Sequence, residues 1–234
     1  MTTIKRRLAA GVLVLALTGA ACGDDDNGDE AAPSATSDTT ATTHSMSDDS
    51  NKDGYAKAYA DVRTAYAHMW ETGGVLSGAI AKQKGFADSG ENKAAATRAV
   101  LSRLLGEHVL LAVVATTKGL DGAPDFTAIA AALDANSVEL ADTVGSVYGE
   151  AAKNEFLKQW RDHIRMFVDY TKATAAKDKA GQDKAVQELG GYVTNFGKFL
   201  ATAVGLPADA VQASVKDHVF QLKGALDAYA SAKA

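Results

Sequence analysis

The chain has 234 residues, a formal net charge of −5 and a single cysteine. That length is enough for a domain with a substantial core. One cysteine excludes an internal disulfide, disulfide redox chemistry and a thiolate metal cluster.

The first residues have the three parts of an export signal. Lys5, Arg6 and Arg7 form a basic start, and Leu8 to Thr18 is an apolar run. That run is shorter than the roughly 20 residues a membrane-spanning helix needs. Gly19, Ala20 and Ala21 then lead into Cys22. This arrangement resembles the lipobox of bacterial lipoproteins, with Gly19 standing where that pattern usually has leucine. The resemblance implies that residues 1–21 are a lipoprotein signal peptide and that the Cys22 thiol is acylated, palmitate being the kind of chain involved. It also implies an extracytoplasmic protein lipid-anchored to the cell membrane. The alternative is an ordinary secretory signal with a cysteine near its cut site. A free thiol is a liability on an exported protein, and acylation gives it a purpose.

Residues 22–52 read as the lipidated cysteine and a disordered acidic tether. Gly23 to Lys52 is Asp, Ser, Thr, Ala and Gly with no aromatic residue, too little apolar surface to order itself. A flexible coil of this length spans about 30 Å root-mean-square. Its eight acids against Lys52 account for most of the negative charge, leaving residues 53–234 near −1. A nearly neutral domain has no basic face for nucleic acid, so none is expected as a partner. No protein partner can be read from the chain. His44 and Met46 fall in the tether, where they are solvated linker residues.

Residues 53–234 are expected to be all-α. Breaks at Gly73-Gly74, Gly85 to Gly90, Gly119 to Pro124, Gly149, Gly181 and Gly205 to Pro207 leave helices near 53–72, 92–118, 125–148, 151–177, 183–204 and 207–232. Pro124 and Pro207 sit where a first helical turn tolerates proline. In the first helix the stripe Tyr55, Tyr59, Val62, Tyr66 reads as the packing face, with His68 and Met69 off it. Short connections imply antiparallel neighbours in an up-and-down bundle of five to six helices.

An internal repeat sharpens this picture. Glu107-His108, Asp162-His163 and Asp217-His218 recur every 55 residues in similar surroundings. At an offset of 56, Leu133, Asn136, Leu140, Val144 and Gly149 align with Leu189, Tyr192, Phe196, Leu200 and Gly205. The repeat core, 92–232, is a duplicated helical hairpin plus a third copy of its first helix. Leu104-Leu105-Gly106-Glu107-His108-Val109, the stretch from Asn136 to Tyr148-Gly149-Glu150-Ala151-Ala152, and Trp160-Arg161-Asp162-His163-Ile164 carry a resemblance. They are similar to a family of bacterial helical proteins, known mainly from bacilli, over roughly residues 98–222. Leu105 stands where that family tends to have Trp. The family carries no assigned biochemical activity, so the resemblance implies a fold and a residue pattern.

Each repeated histidine falls on an apolar helical stripe. The stripes are Leu101, Leu104, His108, Leu111, Ala115, then Phe156, Trp160, His163, Phe167, Tyr170, then Val211, Val215, His218, Leu222, Tyr229. The three helices run the same way, so the rings are expected at similar depth. Three convergent imidazoles would suit a transition metal ion: zinc, copper or iron. Glu107, Asp162 and Asp217 would then be fourth ligands or acceptors that orient the rings, an acid from a neighbouring repeat being better placed than a histidine's own. Met166, on the same face as His163, hints at copper. Absence of Glu-x-x-His pairs argues against a ferritin-type oxidase. No nucleophile motif or phosphate loop appears, and the expectation is a non-catalytic protein. Two alternatives stay open. The histidines could be structural in an interaction module that docks a protein or an apolar ligand, or they could serve a metal-dependent enzyme.

Overall fold

The computed structural model describes residues 51–85 and 92–233. The signal segment, Cys22, His44 and Met46 lie outside the described residues. The described chain forms six helices: α1 (Lys52–Lys84), α2 (Lys93–Asp121), α3 (Phe126–Tyr148), α4 (Glu150–Ala175), α5 (Lys179–Val204) and α6 (Ala208–Ala232). No strand occurs among the described residues. Consecutive helices from α2 to α6 pack side by side, and α2, α4 and α6 also meet one another. This is an all-α up-and-down bundle, with α1 laid against α3 and α2.

Most of the expected boundaries stand within a few residues, and two break signals fail. α1 runs straight through Gly73 and Gly74 to end at Gly85. A helical glycine costs only about 1 kcal/mol against alanine, too little to stop a helix with no proline in it. Gly181 lies inside the first turn of α5 rather than between helices. The break is upstream, where Lys177 takes a left-handed φ of 55° and the Asp178 carboxylate accepts from the Gly181 N–H at 3.0 Å. A Cβ on Gly181 would press on Ala173 at 3.0 Å, so the cap and the glycine belong to one turn. Both prolines sit just outside their helices: Pro124 precedes Asp125, the residue before α3, and Pro207 is itself the residue before α6. Between α3 and α4 a single residue reverses the chain, Gly149 at φ 85°, a region that favours glycine.

The core is what the stripes predict on α4, where Phe156, Trp160, His163, Phe167 and Tyr170 are all buried. Phe156, Trp160 and Phe167 join Leu104 and Leu111 from α2, Leu133 and Leu140 from α3, Leu189 and Phe196 from α5, and Leu222 from α6, while Tyr170 packs with Ala185 and Leu226. On α1 Tyr55, Tyr59 and Tyr66 are partly buried as the stripe expects, and one member departs from it. Val62 is 58% exposed, and Arg63 turns inward instead. Helix α2 has an 18-residue window of mean hydropathy 1.6, long and apolar enough by composition for a membrane span. Its buried Glu107 and His108 face the bundle.

Candidate metal centre

The site is made by three parallel helices reaching the same level. His108 is the sixteenth residue of α2, His163 the fourteenth of α4 and His218 the eleventh of α6. One ring nitrogen from each lies within 4.8 Å of the other two. The His108 ring centroid is 5.6 Å from that of His163 and 6.1 Å from that of His218. His108 and His163 are 1% and 2% exposed, while His218 is half-buried. Repeat-related positions 55 residues apart in sequence therefore come together in space.

These imidazoles are short of hydrogen-bond partners. Both nitrogens of His108, Nδ1 of His163 and Nε2 of His218 are buried without one. Buried polar atoms are ordinarily paired, so four orphans on three touching rings mark the place. Burial, and then the neighbouring His218, hold the His108 pKa down at about 3. Burial likewise pushes His163 well below the usual histidine value, with His108 and His218 adding to the effect. His218 is lowered by burial. All three are neutral at pH 7, the form that binds a metal. Aromatic rings close the surround: Trp160 lies 4.8 Å from His108 and 4.7 Å from His163. Tyr192 stacks on His163 at 4.8 Å.

The donor set fits a transition metal in kind and nearly in distance. Zinc–nitrogen bonds of roughly 2.0–2.1 Å at tetrahedral angles place ligand nitrogens about 3.3 Å apart. The observed separations close to that by ring rotation and shifts of about 1.5 Å or less. Three histidines supply three positions and leave a fourth open.

The acids beside the histidines do something else. Glu107 is 3% exposed, and its carboxylate accepts from Arg63 Nε at 2.9 Å and from Asn136 Nδ2 at 2.7 Å. Asn136 Nδ2 also donates to the Leu104 carbonyl at 3.0 Å. Asn136, whose Oδ1 is likewise unpartnered, favours a charged His108, a smaller effect than burial. Glu107 thus reaches the cluster only through Asn136. Asp162 is half-exposed beside Lys158, and Asp217 is exposed. Neither has a hydrogen bond to an imidazole among the described residues. Adjacent helical residues point about 100° apart, which sends both acids to solvent when their histidines point inward. Met166 lines a groove with Asp162 and Tyr192 on the α5 side. His68, 74% exposed, stands on the surface near Glu71.

Sequence reasoning missed Arg63 and the role of Asn136. Arg63 donates to Glu107 and, at 2.8 Å, to Glu139. Burial disfavours its charge, and its hydrogen bonds to the two glutamate carboxylates more than restore it. The available signal was an arginine four residues after Tyr59 and three before Tyr66, on a helical face otherwise turned inward.

A cavity of about 210 Å³ adjoins the cluster, bounded by His108 and His163 at one end. Comparison of the chain with protein families, curated proteins and solved structures gave no match.

Proposed function

We propose that the bundle is a transition-metal-binding module, with zinc, copper or iron held by His108, His163 and His218. The observation that supports it is the convergence of three neutral, buried imidazoles whose nitrogens lack partners and lie within 4.8 Å of one another. A core that needed only packing would be served at lower cost by apolar side chains, since each unpaired buried polar atom costs about 1–3 kcal/mol. The reading is one of binding rather than catalysis. Glu107, the carboxylate nearest in sequence to the most buried ring, is fully engaged by Arg63 and Asn136. The bundle belongs, on this reading, to an extracytoplasmic lipoprotein anchored to the membrane through Cys22.

Metal content of the purified full chain tests the centre. About one equivalent of zinc, copper or iron is expected in the wild type, and a large loss in the triple His108→Ala, His163→Ala, His218→Ala protein. The single His163→Asn variant repeats the comparison with less disturbance of the core. Equal metal in the wild type and in a folded variant overturns the reading. The anchor is tested by mass spectrometry of the N-terminus, where Cys22→Ser should abolish acylation and release the protein from the membrane fraction.

A further inference from the structure

The cavity beside the histidines is an elongated slot between the parallel helices α2 and α4. On α2 its wall runs from His108 through Ala112 and Ala115 to Gly119, about 16 Å along the helix at 1.5 Å per residue. Phe167 on α4 and Leu133 on α3 form the opposite side. The two threonines of the wall do not make it polar. The Thr116 hydroxyl donates to the Ala112 carbonyl at 2.9 Å, and the Thr171 hydroxyl to the Phe167 carbonyl at 2.8 Å. The lining is thus apolar except at its two ends: the exposed Lys172 borders one, and His108 and His163 sit at the other, each at least nine-tenths buried and each with an unpartnered nitrogen. Apolar cavities of about 150 Å³ hold benzene in other proteins, and this one is larger.

We propose that this slot is a binding site for a small neutral aromatic alcohol of phenol size, its hydroxyl held by the imidazoles of His108 and His163 and its ring lying between Ala112, Ala115, Leu133 and Phe167. A neutral imidazole offers one donor and one acceptor, so a hydroxyl finds both complements there. The ring replaces empty or poorly solvated apolar volume. A metal on His108 and His163 would compete for the nitrogens the hydroxyl needs, so the slot takes the alcohol in the metal-free protein.

The experiment is a methyl NMR titration of the chelator-treated full chain with phenol and with toluene, which has the same shape without the hydroxyl. Phenol should shift the Ala112, Ala115 and Thr171 methyl signals saturably, with toluene binding about tenfold more weakly for want of the hydrogen bond. Ala115→Leu and Ala112→Leu each fill the slot and should abolish binding while keeping the helical circular dichroism. If one of them fails to fold, the other decides. No saturable shift, equal affinity for toluene and phenol, or phenol binding retained in a folded filled variant overturns the proposal. Chelation keeps these outcomes distinct from those of the metal assay.

Discussion

Asn136 and Tyr192 occupy repeat-equivalent positions on α3 and α5, and each lies beside the histidine of its own hairpin. Tyr192 stacks on His163 with ring centroids 4.8 Å apart and planes at 22°. Asn136 instead ties the His108 side of the cluster to the Leu104 carbonyl and the Glu107 carboxylate. The two halves of a duplicated scaffold thus present the same imidazole in different surrounds, one stacked and apolar, the other at the end of a buried polar chain that reaches Arg63. That difference makes the first hairpin depend on α1 for charge balance.

Asn136→Leu should therefore cost far more than its change of shape suggests. It takes one donor from the buried Glu107 carboxylate, which keeps Arg63, and the side-chain donor from the Leu104 carbonyl, a penalty of about 1–3 kcal/mol. Urea unfolding followed by circular dichroism reads the loss. A change below about 1 kcal/mol would show that both groups reach water and that the chain from Arg63 to His108 is not sealed.

Removing the cation tests the same chain from its outer end. Arg63→Met leaves Glu107, 3% exposed, as an uncompensated buried charge, with an expected cost of about 3–5 kcal/mol. The double variant Arg63→Met, Glu107→Leu removes the stranded charge with its partner and should recover a large part of that loss. A double-mutant cycle in denaturant measures the coupling, and simple additivity of the two changes would contradict the pairing.

How much of this was legible in the sequence follows from what each residue depends on. The stripes on α4 and the 55-residue recurrence of the histidines follow from local periodicity, and the bundle level at which the rings meet follows from them. Gly73-Gly74 and Gly181 misled because glycine is a weak breaker whose effect is decided by its neighbours, here an uninterrupted α1 and the Asp178 cap. Arg63 was hidden for a different reason. Its partners are 44 and 76 residues away, and nothing local marks an arginine as buried until Glu107 and Glu139 are seen around it. The acids next to His163 and His218 drew attention by adjacency alone, which on a helix points them elsewhere.

The neutral histidines give the fold an acid sensitivity of known sign. His108 is held at about 3, and His163 and His218 also lie below the ordinary value of 6.5. The unfolded chain therefore takes up protons first. Stability is complete above about pH 6.5 and falls as the pH drops toward the folded values, by up to about 1.4 kcal/mol per pH unit for each histidine. Between pH 6.5 and 5, above the range in which most carboxylates titrate, metal-free protein should lose roughly 2–5 kcal/mol. His108→Gln should flatten this slope by about one proton's worth. Calorimetry at both pH values checks it, and an unchanged Tm across the window would show that the rings are solvated.

Gly197 tests the positioning of His218 without touching a ligand. It lies in α5, where a Cβ would run into the Gln212 side chain and come within 3.0 Å of the Gln212 Cα on α6. Helix propensity alone makes glycine-to-alanine worth about 1 kcal/mol in favour of the fold. Overpacking against a neighbouring backbone costs about 1–3 kcal/mol, so the clash should win. Gly190, on the same helix with nothing within 4 Å of its Cβ position, is the internal control. Gly190→Ala should raise Tm and leave metal binding unchanged. Gly197→Ala should lower Tm and, by displacing α6, weaken metal binding at a centre to which α6 contributes only His218. If Gly197→Ala stabilises the protein as much as Gly190→Ala does, α5 and α6 are free to move apart, and the level of His218 is not fixed by their contact.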